Sequence, residues 1–164
     1  MNMSLLPSKV RSILKRSHLG FEVVACDPAD SDTAVFVEKY GYSIQDSANC
    51  ILVKTKTGEE KFIACLVLAT TRLDVNKRIR KKIRARKVSF ASTEETRALT
   101  SMELGGVTPL GLPDTLQLWV DARVMGREKI VIGGGNRDCK IIVAPVILKQ
   151  LSNVEIVEDL ALPI

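Results

Sequence analysis

Apolar and polar positions along the chain predict a succession of short helices and strands. In residues 7–17, Val10, Ile13 and Leu14 fall at i, i+3 and i+4 with Lys9, Arg11, Lys15 and Arg16 among them. That is the stripe of an amphipathic helix, which Gly20 is placed to close. Residues 21–26 are rich in β-branched and aromatic side chains, which predicts a strand, and Asp27-Pro28-Ala29-Asp30 breaks it. Ser31 is placed to cap a helix over residues 32–40 with a stripe of Ala34, Val37 and Tyr40, and Gly41 is its left-handed terminator. Residues 49–55 and 61–70 form the clearest hairpin, turning at Thr57-Gly58-Glu59-Glu60. Its second arm is apolar at successive positions from Phe62 to Ala69, which predicts a central strand covered on both faces.

Further along, Asp74 is a candidate cap for a helix whose Val75, Ile79 and Ile83 recur every four residues. A short strand is expected over 87–91, and Ser92 and Glu95 stand at capping-box spacing for a helix reaching Leu99. Residues 116–122 read as a strand, 129–132 and 140–144 as a second hairpin, 146–151 as a helix begun by Pro145, and 154–157 as a last strand. Helices lie between hairpins without regular βαβ alternation. The order predicts one α+β domain over residues 1–164 with a mixed sheet.

Two stretches cannot be regular structure. Gly105-Gly106-Val107-Thr108-Pro109-Leu110-Gly111-Leu112-Pro113 combines glycines, which allow close backbone approach, with prolines, which fix φ and extend the residue before them. Gly133-Gly134-Gly135-Asn136-Arg137 follows the apolar run Ile130-Val131-Ile132. The two read either as walls of one pocket or as ordinary tight turns.

Composition is that of a globular protein, with 46% hydrophobic and 26% charged residues in 164. No apolar run approaches the roughly 18 residues that cross a bilayer, and the first twenty residues lack the apolar centre of a signal peptide, so a cytoplasmic location is expected. Cys26, Cys50, Cys65 and Cys139 are far apart, and His18 is the one histidine. No metal site or cofactor is expected, and the thiols read as buried small hydrophobes. A Ser-His or Cys-His nucleophile is disfavoured for the same reason. The net charge of +5 hides a strong asymmetry. Between Arg72 and Lys87 nine basic residues face the single acid Asp74, so the rest of the chain is net negative. Lys77, Arg78, Lys81 and Arg84 on that helix are candidate phosphate contacts for a nucleic acid, the alternative being a solvated face.

Asp27-Pro28 before a short helix ending in Tyr40-Gly41, the strand Ala48-Asn49-Cys50-Ile51-Leu52-Val53, the loop Gly105-Gly106-Val107-Thr108-Pro109-Leu110-Gly111 and Ile132-Gly133-Gly134-Gly135-Asn136 fall in one order. Together they resemble the YbaK-like proteins and the editing domain of bacterial prolyl-tRNA synthetase, over residues 21–160. The resemblance implies a mixed, barrel-like β-sheet surrounded by helices. It also implies a freestanding deacylase that hydrolyses the ester of a small amino acid mischarged onto tRNA. By likeness, Asn49 and the amides of Gly105, Gly106 and Val107 meet the ester, with Thr108 beside them and Pro109 shaping the loop. Gly133, Gly134 and Gly135 form the opposite wall, and Asn136 and Arg137 add contacts. The implied partners are the tRNA acceptor end and an aminoacyl-tRNA synthetase.

An aminoacyl ester is already activated, so orientation, donors to the oxyanion and access for water suffice for hydrolysis. Deacylases of this family commonly carry a functional lysine where this chain has Asn49. Lys54, five positions along the strand, falls on its opposite face and cannot replace it. A site lacking that cation admits a second reading, a non-catalytic module that binds aminoacyl or nucleotide ends or a synthetase.

Overall fold

A computed structural model describes residues 2–164. Three β-sheets form its frame. A five-stranded mixed sheet runs β5-β2-β3-β6-β9, from strands β2 (Ala48–Thr55), β3 (Phe62–Leu68), β5 (Val88–Phe90), β6 (Gln117–Asp121) and β9 (Val154–Val157). A three-stranded antiparallel sheet runs β1-β8-β7, from β1 (Phe21–Ala25), β7 (Ile130–Gly133) and β8 (Cys139–Val143). Strands β4 (Thr71–Leu73) and β10 (Ala161–Pro163) make a third, antiparallel pair. The helices are α1 (Ser8–Ser17), α2 (Thr33–Tyr40), α3 (Arg80–Ile83), α4 (Thr93–Thr100) and α5 (Ala122–Met125). The α+β class expected from the element order is what folds. The sheet is not closed into a barrel: one parallel bridge, Ser47 to Val131, joins the larger sheets at one seam.

The main core lies between those two sheets. Val23, Ile132, Ile141 and Val143 from one meet Ala48, Leu52, Leu66 and Val120 from the other, and Val10 and Leu14 of α1 complete it. Strand β3 shows why alternation decides burial: Ala64, Leu66 and Leu68 enter this core, while Ile63, Cys65 and Val67 enter a second one on the far face. Ile79, Ile83, Leu73 and Trp119 fill that second core. Phe36 and Val37 of α2 cover Val131 and Ile142 on the outer face of the smaller sheet.

Several local expectations hold and several change. Glu95 N–H donates to Ser92 Oγ while Ser92 N–H donates to the Glu95 carboxylate, the capping box read from the sequence. Gly41 ends α2 at φ 81°. Helix α1 stops at His18, itself left-handed, two residues before Gly20. The N-cap of α2 is Asp32, because Pro28–Asp30 turns as a 3₁₀ helix and carries Ser31 into its last turn. The stretch after Asp74 is a π-turn (Val75–Ile79) followed by the single turn of α3, stopped by Arg84 at φ 59°. It is too crowded with cations to extend, and Ile79 and Ile83, with partly buried Val75, anchor it in the second core. Residues Pro145–Gln150 form a 3₁₀ rather than an α-helix, and α5 and β10 were not legible as periodic segments.

Candidate functional site

A cleft of about 260 Å³ opens at the seam between the two larger sheets. Its walls come from the start of α2 (Ser31, Asp32, Thr33, Phe36), from the first half of β2 (Ser47 through Ile51), from Leu104, Gly105 and Val107, and from Val131 through Gly133. Lys140 of β8 completes the lining.

Asn49 is held at the front of β2, where its Oδ1 accepts a hydrogen bond from Thr33 Oγ1 at 2.7 Å. With that acceptor engaged, the amide NH₂ is the group a ligand can use, so Asn49 faces a ligand as a neutral donor. Lys54 lies on the other face and pairs with Glu95 at 2.8 Å, as the strand alternation requires.

The two glycine stretches do meet, and they meet backbone to backbone. Gly135 N–H donates to the Gly106 carbonyl at 2.7 Å. A Cβ on Gly106 would overlap the carbonyl of Asn136, and one on Gly133 would overlap the carbonyl of Val107. Gly105 stands at φ 87°, a conformation that favours glycine, with its Cβ position 2.8 Å from both the Arg137 guanidinium and Ser31 Oγ. Gly105, Val107 and Gly133 therefore line the cleft, whereas Gly106 is spent on joining the loops. Its own N–H donates to the Glu103 carbonyl at 2.9 Å, so the expected Gly106 amide is engaged within the chain.

The other residues singled out in the sequence brace this junction. Thr108 is fully buried, and its Oγ1 accepts from Leu110 N–H at the turn that Pro109 begins. Pro109 lines a separate cleft beside Lys9 and Asn153. Gly134 packs against Cys139 and Gly135 against Pro7. Asn136 donates to the Leu5 carbonyl at 2.6 Å and accepts from Asp138 N–H. Arg137 clamps the rim, donating to the Leu104 carbonyl at 2.9 Å and the Pro28 carbonyl at 2.8 Å.

The residue that sequence reasoning missed is Lys140. Strand β8 alternates so that Cys139, Ile141 and Val143 enter the main core while Lys140 and Ile142 turn towards α2. Lys140 is only 7% exposed, donates from Nζ to the Gly105 carbonyl at 2.8 Å and sits 5.9 Å from the Phe36 ring centre. Burial holds its pKa below the ordinary lysine value, and the nearby Arg137 charge adds to that. A single lysine inside an apolar, two-face-buried strand was the available signal.

Nucleophilic thiols are disfavoured by the same burial. Cys50 lines the cleft, but desolvation pushes its thiol up to about 12, and Cys139 is raised to about 11. His18 lies at the end of α1, away from the cleft lining.

On a different face, Lys56, Arg80, Arg86 and Lys87 converge on one concave surface with Asn76 and Ser89. Of the candidate phosphate contacts, Lys77, Lys81 and Arg84 are exposed, while Arg78 is tied to the Glu158 carbonyl at 3.1 Å. Lys82 pairs with Glu155 above Trp119.

Solved structures share this architecture. One hypothetical protein superposes with a TM-score of 0.79 at 22% identity, covering 92% of this chain and 98% of its own. A protein named as a candidate trans-editing enzyme for prolyl tRNA synthetase superposes at 0.75 with 21% identity, covering 93% of this chain and 97% of its own. A candidate signal transduction protein from Marinobacter aquaeolei matches at 0.65 and 15% identity, over 93% of this chain and 30% of its own. Residues 27–151, which hold the cleft walls from α2 to β8, match the aminoacyl-tRNA editing domain, and the chain belongs to that family.

Proposed function

We propose that this editing domain is a deacylase acting in trans, which removes a small amino acid from the 3′ end of a mischarged tRNA. The observation that carries the reading is the cleft itself. It is lined by donors around a seam of bare backbone, with Asn49, Lys140 and the start of α2 converging and no activated nucleophile among the lining residues. Such a site fits an activated ester, for which a positioned carbonyl and an oriented water suffice. Its volume of about 260 Å³ is below the roughly 300–1,000 Å³ of pockets that take drug-sized ligands, which favours a small aminoacyl group.

Asn49 orients the ester through its NH₂, Gly105 and Val107 close one wall, and Gly133, packed against the Val107 carbonyl, belongs to the other. Gly106, Gly134, Gly135, Thr108, Pro109, Asn136 and Arg137 hold those walls in place. The groove of Lys56, Arg80, Arg86 and Lys87 takes the phosphate backbone of the acceptor end. Lys56, just past the end of β2, stands seven positions from Asn49, on the order of 23 Å at strand rise, a span that a few nucleotides cover. A synthetase partner supplies tRNA selectivity, by analogy with the trans-editing neighbour.

The test is deacylation of tRNAs charged with alanine, serine, threonine or cysteine by the purified protein and its Asn49→Ala variant. One ester is expected to be lost rapidly. The variant should be slower by roughly 2- to 13-fold, the worth of one neutral hydrogen bond of about 0.5–1.5 kcal/mol. If no ester decays faster than in buffer while tRNA still binds, the chain is a binding module and the deacylase reading is wrong.

A further inference from the structure

We infer that Lys140 is a catalytic residue: its ammonium, in the cleft lining and held by the Gly105 carbonyl, receives the oxyanion that forms on the substrate's ester carbonyl. The inference rests on the deacylase reading above and names the group that does its hardest electrostatic work.

Topology places the lysine. The parallel bridge Ser47 to Val131 joins β2 to β7, and continuing that register by two residues sets Asn49 beside Gly133. The antiparallel partner of Gly133 is Lys140. Asn49 and Lys140 therefore flank a position with no side chain, and all three line the cleft. Backbone of Gly106 and Val107 packs on Gly133 itself, so it is in the cleft that Asn49 and Lys140 both line that a carbonyl can meet a neutral donor and a cation.

The charge of Lys140 is met by no carboxylate in direct contact, although Asp32 of the same cleft acts on it from a distance. Among the described residues none of the ion pairs involves it, and its hydrogen-bonding partner is the neutral Gly105 carbonyl. A buried cation without a contacting anion is costly to fold around, and a brace for a loop needs only a neutral donor. The ammonium carries three N–H donors, of which Gly105 takes one. No other side-chain hydrogen bond of the ammonium is formed among the described residues.

The step balances without any further reagent. Water attacks the carbonyl carbon, a C–O bond forms, and the π pair moves onto the carbonyl oxygen beside Lys140. The carbonyl re-forms as the bond to the ribose oxygen breaks, and the proton given up by water ends on that ribose oxygen, leaving amino acid and tRNA. Lys140 stays protonated throughout and donates hydrogen bonds only. Because the ester is neutral and the intermediate is negative, its contribution appears in the transition state rather than in binding.

The experiment is single-turnover deacylation at saturating protein, with the ester that the native protein hydrolyses, for native, Lys140→Met and Lys140→Gln proteins. Glutamine keeps a donor for the Gly105 carbonyl without the charge, and melting curves confirm that each variant folds. Both variants are expected to react about 100-fold more slowly, the effect of losing one oxyanion donor, with half-saturating protein concentration changed by less than about twofold. Rates within about threefold of native in both variants overturn the inference. So does a native rate in Lys140→Gln alone, which makes the lysine a loop brace. A weaker half-saturation at unchanged rate also overturns it, by assigning Lys140 to a phosphate. If the native protein hydrolyses no ester, the deacylase reading falls first and takes this assignment with it.

Discussion

Replacing Arg80, Arg86 and Lys87 together by glutamine removes three of the four cations that line the basic groove. All three side chains are exposed and none is in an ion pair among the described residues, so the fold should keep its stability within about 0.5 kcal/mol per site. Each phosphate contact adds about 0.7 to the slope of log affinity against log salt for a single strand and about 0.9 for a duplex. Losing three contacts flattens that slope by about 2.1 to 2.7. Between about 50 and about 200 mM salt, an interval of about 0.6 log units, the native protein should lose roughly 20- to 40-fold more affinity than the variant. Fluorescence anisotropy of labelled tRNA titrated with each protein at several salt concentrations gives both slopes. The same change at Lys77, Lys81 and Arg84, which are exposed but do not line the groove, should flatten the slope less. Parallel salt plots for native protein and the groove variant would refute the reasoning and return the basic surface to solvent.

The junction of the glycine loops predicts that Gly106→Ala, whose Cβ meets Asn136 backbone on a segment with no free side chain to yield, costs about 1–3 kcal/mol or more. Thermal unfolding should show a fall of roughly 2–12 °C for a chain of this length, whereas Gly20→Ala, with open space around its Cβ position, should melt as native. Glu95 is held below the usual carboxylate range, first by its bond from Lys54 and then by the Ser92 N–H. A depressed acid contributes stability above its unfolded pKa of about 4.3 and loses it as pH falls through the lower folded value. The urea midpoint of Glu95→Gln should therefore fall short of native at pH 7, and the gap should narrow as pH falls below about 4.3; a gap that does not change with pH would show that the carboxylate charge contributes nothing.

The sequence by itself determined the elements whose cause is local. Alternation and apolar runs fixed β2 and β3, the Ser92 and Glu95 pair fixed the start of α4, and Gly41 fixed the end of α2, because each depends on residues within a turn or a strand of one another. The ordered motifs also identified the family and both glycine walls. Tertiary structure decided which of these residues line the cleft. Gly106 and Gly135 spend their polar groups on each other, and Asn136 and Arg137 on carbonyls 131 and 109 residues away for the bonds to Leu5 and Pro28, pairings that no local pattern encodes. It also decided where charge enters. In sequence, Lys140 is one cation in an apolar strand and Asn49 a neutral polar residue near the start of another. The bridge from β2 to β7 and the pairing of β7 with β8 bring them to either side of Gly133. The basic residues divide in the same way. Their number was legible, but the groove forms because Lys56 at the end of β2 is carried beside Arg86 and Lys87 by the antiparallel pairing of β2 with β5. Strand pairing across long separations is set by the mutual burial of the two larger sheets, and that burial exists only once the chain has folded.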